Sequence, residues 1–162
     1  MARQSAMLAV LLTAALTHTA AAMDHGGATY LPGAADAQIV SVTADGPAQA
    51  GVTVLTQAVA IKETGRKETV ERFGEVYAFS PSVIIVHRDE PTAITFWNLQ
   101  ADDDHDFMLA DPHGHVVMHQ LLPALRETAY VFTFHQEGLL TFYCTMHQPA
   151  MSGQILVLPP AR

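Results

Sequence analysis

Phe142-Tyr143-Cys144-Thr145-Met146-His147-Gln148-Pro149-Ala150-Met151 is the stretch on which the reading of this chain turns. It carries the only cysteine of 162 residues, a histidine three positions later and a methionine four beyond that. A thiolate, an imidazole and a thioether so close together form a soft donor set, better suited to copper than to magnesium or calcium. A second imidazole from elsewhere would complete a plane of two histidines and a cysteine with a weak axial methionine, the ligand pattern of electron-transfer copper. Spacings of three and four also mark one face of a helix. Pro149 would break such a helix. The flanks Leu139-Leu140-Thr141-Phe142-Tyr143 and Gln154-Ile155-Leu156-Val157-Leu158 are aliphatic and aromatic in the manner of strands. The stretch therefore reads as a loop between two strands.

Moving outward, short strand-like runs follow one another closely from Phe73 onward. Val76–Phe79 is stopped by Ser80-Pro81, Val83–His87 by Asp89-Glu90-Pro91, and Thr92–Asn98 follows. Further runs are an apolar strand opened by His105, then His115–Met118, Thr128–Phe134, Leu139–Cys144 and Gln154–Leu158. Many short strands separated by turn signals predict an all-β sandwich or barrel. Upstream, Gln38–Thr43 and Gly51–Ile61 alternate around an Asp45-Gly46-Pro47 turn, and Lys62–Arg72 is a polar linker or short helix. Residues 26–36 read as coil. We expect residues 23–69 to form an N-terminal extension that packs on the main domain or adds an edge strand, and residues 70–162 to form that domain.

The start of the chain, Met1-Ala2-Arg3-Gln4 followed by an apolar run and Ala20-Ala21-Ala22, has the form of a secretory signal peptide over residues 1–22. The run is too short to span a bilayer, so no stable membrane insertion is expected after cleavage; an uncleaved anchor is the alternative. Export to the periplasm or beyond sharpens the question of Cys144. A lone cysteine in an oxidising compartment is buried and inert, paired with another chain, or held by a metal, and its neighbours favour metal. The composition is 49% hydrophobic and 15% charged, enough for a core. A formal charge of −8 argues against nucleic acid as a partner and for a basic protein.

The second imidazole is sought among nine histidines. His105 stands after the acidic run Asp102-Asp103-Asp104 and opens a strand, which places it at the mouth of a sandwich where a distant loop can meet it. Its alternative is a surface histidine in an acidic loop. His113 and His115 are turn residues that, with Met118 and His119, would make at most a second, exposed copper site. His87 and His135 end strands and read as structural. Were cleavage to follow Ala22, Met23-Asp24-His25 would offer Cu(II) a square-planar set of nitrogens, against the plainer reading of a histidine in a tail. Phe142, Tyr143 and Trp97 read as core.

Asn98 through His105-Asp106-Phe107, followed by Tyr143-Cys144-Thr145-Met146-His147 and Met151, resembles the cupredoxins, the small type 1 blue copper proteins, with a copper loop like that of plastocyanins, pseudoazurins and azurins. Phe79-Ser80-Pro81-Ser82-Val83-Ile84-Ile85-Val86 is similar to a strand motif of cupredoxins related to cytochrome oxidase subunit II. The resemblance covers roughly residues 70–159. It implies a Greek-key β-sandwich with one copper held by His105, Cys144, His147 and, axially, Met151. It implies an electron carrier rather than an enzyme, shuttling single electrons with a redox partner that is basic, cytochrome c-like or a membrane or periplasmic oxidoreductase. The alternative is a periplasmic copper chaperone or buffer, suggested by the dispersed histidines and methionines. Two departures stand out: Asp106 where many members carry Asn, and Met146 where Pro is common. An ionised carboxylate accepts hydrogen bonds but donates none, so Asp106 bears directly on how the two ligand segments are joined.

Overall fold

In the computed structural model, which describes residues 29–161, ten strands and one helix form two facing five-stranded sheets. The strands are β1 (Val40–Thr43), β2 (Ala50–Ala60), β3 (Val76–Ser80), β4 (Val83–His87), β5 (Thr92–Asn98), β6 (His105–Ala110), β7 (Val116–Leu122), β8 (Glu127–Phe134), β9 (Gly138–Tyr143) and β10 (Ser152–Leu158). The helix α1 spans Lys67–Phe73. One sheet runs β1-β8-β5-β2-β3 and the other β4-β10-β9-β6-β7. The expected all-β sandwich is what forms, and every strand-like run of the sequence becomes a strand. The signal peptide at 1–22 and the Met23-Asp24-His25 reading lie outside the described residues.

Period-two alternation sorts the side chains. On β5, Ile94, Phe96 and Asn98 face inward and are buried. Trp97 falls on the other parity and is 40% exposed, so it is not the core residue its size suggested. Between the sheets the phenylalanines meet ring to ring: Phe96 with Phe107 at 4.6 Å, Phe107 with Phe142 at 5.5 Å and Phe142 with Phe79 at 5.2 Å between centroids. Each such ring contributes about 1.5–3 kcal/mol by burial. Phe142 is fully buried at the end of β9, so the segment that follows leaves the sandwich from a fixed point.

The expected boundary near residue 70 is not a structural seam. β2 lies inside its sheet, parallel to β5 from Ala50↔Thr92 to Thr56↔Asn98 and antiparallel to β3. Residues 50–60 are thus part of the sandwich, not an appendage, because a sheet position between two partners satisfies both rows of backbone groups. β1 does take an edge, on β8. His135 pins that edge: its backbone N–H donates to Ile39, and its ring lies 2.9 Å from both Ser41 Oγ and Asp89 Oδ1. His87 meets the Pro159 carbonyl at 2.6 Å. Both strand-end histidines tie chain to chain.

Candidate metal centre

His105 is the first residue of β6 and Cys144 directly follows β9. These two strands are antiparallel neighbours, with Met108 opposite Tyr143. Strand pairing therefore carries residues 39 apart in the sequence to the same end of the sandwich. The turn from Cys144 to Met151 then folds back into β10 and presents His147 to both. His105 Nδ1 and His147 Nδ1 lie 3.2 Å apart, and Cys144 Sγ lies 4.0 Å from the first and 3.6 Å from the second. A trigonal centre with metal–nitrogen bonds near ~2.0 Å and a metal–sulfur bond near ~2.3 Å needs separations of about 3.5 Å between nitrogens and about 3.7 Å from nitrogen to sulfur. The donor triangle matches those dimensions to within a few tenths of an ångström, so these residues can hold a metal ion.

Burial sets the chemistry of the donors. His105 and Cys144 are fully buried and His147 is half-buried. Burial, with the neighbouring His147, lowers the His105 imidazole to about 4, against the opposing pull of Asp103, Asp106 and Asp104. Its lone pair is thus free for a metal at neutral pH. Burial also pushes the Cys144 thiol up to about 11, while backbone N–H groups of Asp106 and Met146 act in the opposite direction. A cation is what would make this thiolate stable at pH 7.

A second layer fixes the donors. Asp106, nearly closed off from solvent, accepts the Thr145 backbone N–H at 2.6 Å and the Thr145 hydroxyl. The carboxylate thus joins the β6 segment to the Cys144 loop by accepting alone. Inside the loop, Cys144 N–H donates to the Met151 carbonyl and Met151 N–H to the His147 carbonyl, both at 2.9 Å, and Gln148 Nε2 donates to the Cys144 carbonyl at 3.2 Å. Met151 is fully buried where the loop enters β10. Asn98 Nδ2 donates to the Asp103 and Leu122 carbonyls, and its Oδ1 accepts from Thr56, which braces the acidic run before His105. Tyr77 of β3 packs its ring 4.8 Å from that of His105 and 4.5 Å from that of His147, and donates its hydroxyl to Asp103. Burial and then the Asp103 contact raise the Tyr77 phenol above its ordinary range, so it stays a donor.

The structure brings His105, Cys144 and His147 together and sets Met151 at the end of their loop. It does not assemble His113, His115, Met118 and His119. Met118 is in the core and His119 is buried beside Asp106, whereas His113 and His115 are exposed in a turn organised by Asp111, whose Oδ1 accepts both their backbone N–H groups. Those two acceptances hold the Asp111 carboxyl below its ordinary range despite the opposing cost of desolvation. Among the described residues, the donor cluster of three or more His, Cys, Asp or Glu is the one at His105. Sequence reasoning gave no role to Tyr77, and to Asn98 only a place in a motif. Nothing in a strand's alternation distinguishes a tyrosine that packs on a site from one that packs on a core.

At the open side, a groove of about 410 Å³ runs past His147 and Met146 toward Phe73 and Glu75. Phe73, at the end of α1, is 66% exposed. No helix among the described residues is long and apolar enough to cross a membrane.

No protein-family model matches this chain, and no curated protein does. Solved structures share its architecture. Auracyanin B is 13% identical with a TM-score of 0.51, over 75% of this chain and 99% of that one. A dithionite-reduced auracyanin from the photosynthetic bacterium Roseiflexus castenholzii is 14% identical with a TM-score of 0.50, over 70% and 100%. A multicopper oxidase gives 14% and 0.52, over 70% of this chain but only 45% of that one. Likeness at these identities concerns the fold.

Proposed function

We propose that this chain, whose fold is that of the cupredoxins, is an exported electron carrier that holds one type 1 copper through His105, Cys144, His147 and, axially, Met151. The observation that carries the proposal is the convergence of two Nδ1 atoms and one Sγ in a buried triangle of the right size. Copper in such a set supplies a one-electron Cu(I)/Cu(II) couple.

The protein's own groups account for the rest. His105 and Cys144, closed off from solvent, keep water from the donor atoms. Thr145, Gln148 and Met151 are tied by hydrogen bonds to the segments that carry the donors, which restrains the loop when the charge at its centre changes. Tyr77 presses on both imidazole rings and limits their rotation. His147 is the donor residue with exposed surface, so electrons would enter and leave along it, beside the groove that ends at Phe73. A formal charge of −8 favours a basic redox partner there. Closed burial of two donors supports electron transfer over the alternative of a chaperone or buffer, which has to release its copper to a recipient.

The test is the visible and paramagnetic resonance spectrum of Cu(II)-loaded protein beside Cys144→Ala. An intense thiolate-to-copper band with narrow hyperfine splitting, absent from the variant, is expected. Weak nitrogen-type signals that survive the substitution would overturn the reading.

A further inference from the structure

Asp106 poses a physical problem. It is a carboxylate 5% exposed, directly after one donor and bonded to the residue directly after another. A buried anion needs compensation beyond one amide and one hydroxyl. The neighbouring strand supplies it. On β7, Leu121 stands opposite Asp106 and His119 opposite Met108, which makes His119 the diagonal neighbour of Asp106 on the same sheet face. His119 is itself only 6% exposed, and its Nε2 approaches Asp106 Oδ2 at 3.4 Å. Tyr30 covers it, exchanging backbone hydrogen bonds with His119 at 2.9 and 3.1 Å and setting its ring 6.2 Å from the imidazole.

We propose that His119 is a positioning residue: its ring, with Nε2 3.4 Å from Asp106 Oδ2, orients and compensates that carboxylate, so that Asp106 clamps Thr145 and sets the electrostatic field at Cys144. The inference rests on the copper reading above for its electrochemical part, but the contact itself belongs to the metal-free chain. The carboxylate stands beside the thiol, since it accepts the backbone N–H of Thr145, the residue directly after Cys144. An amide at this position would need no compensating partner; a carboxylate does, and the chain provides one from a different strand.

The experiment is a double-mutant cycle of His119→Leu and Asp106→Asn, with His119→Gln as the variant that restores an N–H donor. In metal-free protein, urea unfolding reads the coupling. His119→Leu is expected to lower the folding equilibrium constant about tenfold or more when Asp106 is present, and much less in protein that already carries Asp106→Asn. In copper-loaded protein, His119→Leu leaves the negative charge less compensated and shifts the Cu(II)/Cu(I) ratio at fixed applied potential toward Cu(II), by about tenfold, which is about 59 mV for a one-electron couple. Asp106→Asn shifts it the other way, and His119→Gln recovers most of the loss. Equal effects of His119→Leu with and without Asp106→Asn, in stability and in potential, would overturn the proposal. If wild type lacked the Cys144-dependent band, the copper reading would fail while the metal-free cycle still decided the pairing.

Discussion

Acidifying the metal-free protein isolates the cost of burying His105. Its imidazole moves from the ordinary 6.5 down to about 4 on folding, because desolvation and His147 both disfavour the cation. The folded state therefore binds the proton less tightly than the unfolded state. Stability from this group is fully present above about 6.5 and lost as pH falls toward 4, below which both states are protonated. The size of the move corresponds to about 3 kcal/mol, and His105 is fully buried, so solvent screening does not reduce it. Urea unfolding of chelator-treated, thiol-reduced protein from pH 7.5 to 4 measures the loss, with His105→Phe as the reference that keeps a ring but cannot titrate. Carboxylates remote from His105 cancel in the difference. Wild type should lose about 3 kcal/mol more than the variant, mostly between pH 6.5 and 4. Parallel curves would refute the reasoning, since they would mean that the folded imidazole takes its proton near the ordinary value.

Three further outcomes follow from the same contacts. Gly153 lies where an added Cβ would overlap the Phe142 ring and the Ser82 carbonyl oxygen, so Gly153→Ala should destabilise by about 1–3 kcal/mol in a thermal melt. Tyr77→Phe removes the hydroxyl donated to Asp103 while keeping the ring over both imidazoles; urea unfolding should show a loss of about 1–2 kcal/mol. With the Cys144 thiol held at about 11 and His105 at about 4, binding of redox-inert Co(II) should tighten with pH, Cys144 contributing about tenfold per pH unit from about pH 5 to 10. Chelator competition across that range reads the slope, and the Cys144→Ser variant should lose the thiol's contribution.

Much of this was legible because the information was local. The turn from Cys144 to Met151 announces itself through Pro149 between two apolar runs, and β3 and β4 are apolar runs bounded by turn residues. Trp97 shows the limit of reading by residue type: its size suggests the core, but parity with Phe96 puts it outside. β2 shows another limit. Its alternation marks a strand, but only the pairing with β5 and β3 reveals an interior position. His119 was legible as a candidate ligand and not as a partner of Asp106, because a diagonal contact depends on the register of β6 against β7, which no short motif encodes.

Register also governs the donors themselves. The loop between β9 and β10 can supply Cys144, His147 and Met151 by its own sequence, but the separation of His105 from Cys144 is set by Met108 standing opposite Tyr143. A slip of two residues in that pairing would keep every side chain on its face and still move the two donors apart by about 7 Å, far beyond the 4.0 Å now observed between Nδ1 and Sγ. Phe107 and Phe142, packed ring to ring from these two strands, oppose such a slip. The aromatic core thus does more than stabilise the sandwich: it fixes the dimension on which metal binding depends.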